Sequence, residues 1–155
     1  MLRLICALVL VLLIAAPSLG QQPLVGTYKL VSEVVEVDGT PRETPMQKAA
    51  HGYQVYTPTR IISFYTSENR KFGTSVAEKA ALLDTMAAWS GVYRVEGDKT
   101  IATVDTSWVE NMNGMTIVST WQLSGNRLTI TSSPMPYPRD PSKTMIRRVI
   151  WEKIE

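Results

Sequence analysis

The pattern of apolar and polar positions along this chain is that of β-strands, and it is clearest between residues 101 and 131. Residues 101–109 lead to a turn at 111–114, residues 115–123 to a second turn at Ser124-Gly125-Asn126, and residues 127–131 complete a run rich in Thr, Val, Ile and Trp. β-branched and aromatic residues joined by Gly/Asn turns predict an antiparallel meander. In the middle strand Met115, Ile117, Trp121 and Leu123 share one face, interrupted only by Ser119; in the first, Asp105 stands between Thr103 and Ser107. An apolar face with a few polar groups set into it suits the wall of a small barrel.

The rest of the chain extends this pattern. Residues 24–37 predict a long first strand in which Tyr28, Leu30, Ser32 and Val34 alternate with Thr27, Lys29, Val31 and Glu33, ended by a turn at Asp38-Gly39. Residues 40–52 have two prolines, mixed charge and no period, as a loop over one end of a barrel would. Residues 52–57 and 60–66 predict two short strands joined at Thr57-Pro58-Thr59. Ser75 and Glu78 have the spacing of a capping box, which predicts a helix from there to about Ser90, stopped by Gly91. Its stripe would hold Val76, Ala80, Leu83 and Ala87, with Leu82, Met86 and Trp89 beside it. Residues 92–96 pair through Gly97-Asp98 with the strand beginning at Thr100. Residues 133–142 hold four prolines and read as an irregular loop before a last strand over 144–154. The fold class is therefore mainly β: an eight-stranded antiparallel barrel with one α-helix between strands 3 and 4. Eight strands enclose just enough space for a small ligand, or for a solid filling of side chains.

Ahead of the strands, Met1-Leu2-Arg3 is a short positive start and residues 4–16 are an unbroken apolar run. Pro17 breaks the run, and Ser18-Leu19-Gly20 puts small residues at the two positions that a signal peptidase reads. The run is too short to span a bilayer comfortably, so a cleaved signal peptide over residues 1–20 is expected, with a barrel domain over 21–155 and no stable membrane anchor. The localisation this implies is secreted or periplasmic. The only cysteine, Cys6, lies in the leader, which leaves the mature domain no disulfide, thiol nucleophile or cysteine metal site. The formal charge of +2 falls to +1 when Arg3, the one charged residue of the leader, is removed. A nucleic-acid partner is not expected at that charge, nor is an anionic membrane surface.

Few residues offer chemistry. Gly-x-Ser-x-Gly, Gly-x-Gly-x-x-Gly and Gly-Lys-Ser/Thr sequences are all absent, which removes support for serine hydrolase, dinucleotide and P-loop functions. His51 is the only histidine and sits in a polar stretch; neither a metal site nor a cofactor is expected. Asp105, if its face points inward with Ile101 and Thr103, would be desolvated, and its pKa would rise toward the range of a general base. It could equally bond Thr103, Ser119 or a buried water, or face solvent. For a small-molecule site the expected lining is Tyr28, Phe64, Ile117 and Trp121, with Ser119 and Asp105 as its polar fixtures. Trp108 falls on the opposite face from Asp105. Arg147 and Arg148 occupy successive strand positions; an inward arginine could neutralise Asp105 or hold an acid head group, whereas an outward pair is a solvated edge. Asn69-Arg70-Lys71 lies near the expected barrel mouth.

Several blocks in this order carry a resemblance. Leu24-Val25-Gly26-Thr27-Tyr28-Lys29-Leu30-Val31-Ser32 resembles the opening Leu-x-Gly-Thr-Trp of the bacterial and fungal lipocalin-like domain family. Gly52-Tyr53-Gln54-Val55-Tyr56-Thr57-Pro58 is similar to its second block, as are Trp89-Ser90-Gly91-Val92-Tyr93, Asn126-Arg127-Leu128-Thr129-Ile130-Thr131 and Val149-Ile150-Trp151-Glu152-Lys153. The resemblance implies the calycin-type barrel and a shape shared with carriers of small lipophilic molecules. Family members usually have tryptophan at Tyr28, and often a histidine and a carboxylate on the strand matching 102–107 and an arginine on that matching 115–123. This chain keeps the carboxylate as Asp105 but has Thr103 and Ser119 at the other two places. Three functions follow as expectations. The first is binding of a small, mainly apolar ligand inside the barrel. The second is a cofactor-free isomerase, cyclase or hydratase using Asp105 as acid or base. The third is a filled barrel acting through a partner surface near residues 134–141.

Overall fold

A computed structural model describes residues 23–43, 51–137 and 140–155. The leader and most of the loop expected over 40–52 lie outside the described residues. The elements are β1 (Gly26–Val37), β2 (Thr40–Arg42), β3 (His51–Tyr56), β4 (Arg60–Thr66), α1 (Val76–Leu83), β5 (Met86–Glu96) and β6 (Lys99–Ser107). A 3-10 turn (Glu110–Met112) then precedes β7 (Thr116–Ser124), β8 (Arg127–Ser132), β9 (Met135–Tyr137) and β10 (Asp140–Lys153).

Eight of these strands form the barrel, in the order β1-β3-β4-β5-β6-β7-β8-β10, and β10 returns to pair with β1. The closing seam runs antiparallel from Tyr28 opposite Lys153 to Val37 opposite Met145. Beyond it, Ile154 N donates to Thr27 O at 2.9 Å, so both ends of the barrel sequence are tied into the ladder. Closure matters because it gives each of the eight barrel strands a neighbour on both sides. β2 and β9 are short flaps hydrogen-bonded to β1 and β10 at one end. As the residue pattern predicts, α1 lies between the third and fourth barrel strands.

The expected capping box is present: Ser75 Oγ accepts from Glu78 N at 3.2 Å, and Glu78 Oε2 accepts from Ser75 N at 2.9 Å. The Glu78 carboxyl accepts from Ser75 N first, then from Ser75 Oγ, Thr74 N and Thr74 Oγ1, and these bonds hold it down at about 2. The helix, however, ends at Leu83 with Asp84 as C-cap, not near Ser90. Residues 86–92 are instead strand and pair residue for residue with β4, from Thr66 opposite Met86 to Arg60 opposite Val92. Without them β4 would be an open edge. The apolar spacing expected of a helix stripe also contains a period of two: Ala87 and Trp89 face the core, and Tyr93 follows in the same alternation, past a bulge in the facing strand β6. Val76 and Leu83, placed on the buried stripe by the helical pattern, are exposed at 85% and 53%. Gly91 does not stop a helix; it lets β5 approach β6, since a Cβ there would lie 2.3 Å from Thr103 O.

A second irregularity lies in β1. Its register with β10 shifts between Leu30 and Ser32, and such a bulge exchanges the faces of the residues beyond it. Tyr28 and Leu30 point inward as expected, but further along the inward residues are Glu33, Val35 and Val37, all buried, rather than Ser32 and Val34.

The hydrophobic core fills one half of the barrel. The β3–β4, β5–β6 and β7–β8 turns and the start of β1 and end of β10 all lie at this end, which we call the closed end. Tyr28, Tyr56 and Tyr93 meet edge to face, with ring centroids 5.8 and 5.1 Å apart, the arrangement aromatic quadrupoles favour. Leu24, Leu128 and Trp151, each essentially without solvent exposure, complete the packing. Tyr93 Oη donates to Thr57 O at 2.9 Å, and Gln54 Nε2 donates to Tyr56 Oη at 2.6 Å. Burial pushes the phenol of Tyr56 up, and that of Tyr93 up to about 12.

Candidate functional site

The other half of the barrel is hollow. At this open end the strands run out into the α1 connection, the 3-10 turn and the β9 flap, and between them lies a cavity of about 470 Å³. Its wall is built by inward positions of the barrel strands: Tyr65 of β4, Trp89 of β5, Ile117 and Ser119 of β7, Ile130 of β8 and Val149 of β10. Trp108 closes it from the β6–β7 connection and Tyr137 from the flap. All five methionines among the described residues, Met86, Met112, Met115, Met135 and Met145, line this one space. Thioether side chains are unbranched, polarizable and free to repack, so this wall can fit more than one apolar shape.

Of the residues expected from the sequence to line a ligand site, Ile117 and Ser119 do so, and Ser119 is buried at 5% exposure. Trp121 faces inward on the same strand but two residues nearer the closed end, where it packs on the core and donates from Nε1 to Gly97 O at 3.2 Å. Tyr28 is buried in the closed half beneath Lys153 Nζ, 5.8 Å from its ring centroid; burial raises its phenol, and its Oη has no hydrogen-bond partner. Phe64 is on the outer wall, half exposed and paired with Tyr53 on β3, because the inward residues of β4 are Ile61, Ser63 and Tyr65.

Asp105 is also outside the barrel, which corrects the inward placement with Ile101 and Thr103. The inner face of β6 is made by Thr100, Ala102 and Val104, and Asp105 is the extra residue of a bulge between the pairs Gly91–Val104 and Ser90–Thr106. There its Oδ1 accepts from Ser90 Oγ at 2.8 Å and its Oδ2 from Arg60 Nη2. The Ser90 hydroxyl, then the Arg60 guanidinium, hold its carboxyl below the usual carboxylate range, opposite to the rise expected of a desolvated base. Trp108, just past the end of β6, reaches the cavity.

The polar centre of the open half is a pair that the sequence pattern hid. Arg147 points inward and lines the cavity while Arg148 points outward. Arg147 Nε donates to Glu33 Oε1, and its guanidinium carbon stands 5.1 Å from the centroid of the Tyr65 ring, a cation–π contact. The Glu33 side chain is only 4% exposed and that of Arg147 25%. Arg147 N donates to Ser132 Oγ at 2.9 Å, which anchors the strand beside the flap. One atom of each charged group, Glu33 Oε2 and Arg147 Nη2, is buried without a hydrogen-bond partner. The signal for Arg147 was legible: it alternates with Met145, Val149 and Trp151 on an apolar face. The signal for Glu33 was not, because the β1 bulge moves it from the outer to the inner face.

The remaining candidates lie away from the cavity. Arg70 donates from Nη2 to Leu82 O at 2.9 Å and from Nε to Thr85 Oγ1 at 3.1 Å, tying down the end of α1. His51 is exposed, 3.7 Å from Glu68. Among the described residues no group of three His, Cys, Asp or Glu is placed to hold a metal, and no helix is long and apolar enough to cross a membrane.

A closed eight-stranded barrel with one solid and one hollow half is the architecture of a calycin-type fold. The family model of the lipocalin-like domain matches residues 25–154, and the chain belongs to that family. Comparison with curated proteins and with solved structures gave no match.

Proposed function

We propose that this protein binds a small, mainly apolar molecule in the open half of its barrel, without a cofactor. The observation that carries the reading is the cavity itself. Its volume of about 470 Å³ falls in the range of small-molecule sites, roughly 300–1,000 Å³, and its wall is apolar with a few polar fixtures. Membership of the lipocalin-like family supports this by analogy of shape. The apolar run over residues 4–16, followed by small residues, supports export to the periplasm or the medium, where such a protein would carry or sequester its ligand. An acid–base function for Asp105 has no comparable support, since that carboxylate stands on the outer wall in an ion pair with Arg60.

Native mass spectrometry of the mature protein, purified from its own exported fraction, tests this reading together with titration by the neutral fluorescent probe N-phenylnaphthylamine. A bound mass lost on denaturation, or a saturable rise in probe fluorescence, is expected. Ile117→Trp, which fills the cavity from its wall, should weaken the probe by about tenfold or more, the equivalent of about 1.4 kcal/mol of contact. A folded protein with neither bound mass nor probe response would overturn the proposal.

A further inference from the structure

The cavity's polar end has an unusual composition, and it limits what the ligand can present there. This inference rests on the binding function proposed above. Arg147 and Asp84 are the charged residues that line the cavity, so Arg147 is its one cation among the described residues. An inward arginine on its own would point to an acid ligand, because guanidinium groups pair with carboxylate, sulfonate or phosphate. Here the positive charge already has its counterion. Glu33 lies beside it, more deeply buried than Arg147, and the pair is electrically neutral. An anionic head brought to Arg147 would set two negative charges against one positive charge in a poorly hydrated space, with Asp84 adding a third at the cavity wall. Desolvating an ion without a free partner is costly.

The placement of the two partners points the same way. Of the pair only Arg147 lines the cavity, and Glu33 stands behind it, more deeply buried. Arg147 Nη2 and Glu33 Oε2 have no hydrogen-bond partner, and neither atom is open to the cavity. A hydroxyl or a carboxamide can meet the exposed part of Arg147 without adding charge, whereas a carboxylate would meet Glu33 as a like charge. We propose that the ligand's polar end is uncharged, as in a long-chain alcohol or primary amide, and that Glu33 is the residue that sets this selectivity.

The test is displacement of N-phenylnaphthylamine from the whole mature protein by decanol, decanamide and sodium decanoate at neutral pH. In the wild type the alcohol and the amide should displace the probe at concentrations about tenfold or more below that needed for decanoate. An apolar cavity alone would also favour the neutral compounds, so the same series is run on Glu33→Gln. That variant keeps the shape of Glu33 but leaves Arg147 uncompensated, and decanoate should then gain at least about tenfold relative to decanol. Decanoate matching or surpassing decanol on the wild type overturns the inference. So does an unchanged ratio of decanoate to decanol on a folded Glu33→Gln protein. Failure of the probe to bind the wild type at all is a different result, and removes the proposed binding function itself.

Discussion

Glu33 of β1 and Arg147 of β10 are diagonal neighbours across the seam that closes the barrel: Glu33 lies opposite Val149, Arg147 opposite Val35, and Arg147 Nε donates to Glu33 Oε1. A buried ion pair adds little net stability, because desolvation offsets the attraction, but breaking it leaves a charge with no partner. Glu33→Leu or Arg147→Met alone should therefore destabilise the protein by about 3–5 kcal/mol, and the double variant should recover most of that loss. Urea unfolding of the four proteins measures the coupling; additive losses would mean that the two side chains act independently.

Asp105 serves as a negative control for the cavity. It stands on the outer wall, bonded to Ser90 and Arg60. Asp105→Asn should leave N-phenylnaphthylamine affinity within about twofold of the wild type, since exposed ion pairs carry little energy. A loss of probe binding in a folded variant would return Asp105 to the site.

Gly91 holds β5 close to β6, and a Cβ there would lie 2.3 Å from Thr103 O and 2.9 Å from Thr103 C. Because the obstacle is backbone, no side chain can turn aside. Gly91→Ala should cost about 1–3 kcal/mol or more, as overpacking does. It should also weaken probe binding, since Trp89 on the cavity wall is carried by the same strand; chemical denaturation and probe titration read the two effects separately.

The tyrosine cluster of the closed end makes stability depend on alkaline pH. Burial first, and then the neighbouring Tyr28, push the Tyr93 phenol from 10.0 up to about 12, so the folded state holds this proton more tightly than the unfolded chain does. The resulting stabilisation is complete below about pH 10 and is lost as pH rises toward about 12. Thermal unfolding followed by circular dichroism should show a flat midpoint up to pH 10 and a steady decline above it. Tyr93→Phe, which removes the proton, should lower the midpoint near neutrality and flatten the alkaline decline.

Much of the fold was legible in the chain. Alternating runs of Thr, Val, Ile and aromatic residues between Gly/Asn turns marked the eight barrel strands in their order, and Ser75 with Glu78 marked where the helix starts. The single inward face of β7 placed Ile117 and Ser119 together, and both line the cavity. These features are local, set by backbone preference and by the period of the side chains. Three others were decided only when strands paired. Residues 86–90 satisfy both a helical and a strand period, and the need of β4 for a partner resolved them as strand. The bulge after Leu30 turned Glu33 inward, and the bulge at Asp105 left that carboxylate outside. A bulge costs one residue of register, and which face a side chain takes beyond it depends on hydrogen bonds to a neighbouring strand distant in sequence. The sequence thus determined a barrel with an apolar interior; only its closure determined which half is hollow and which charged pair stands inside it.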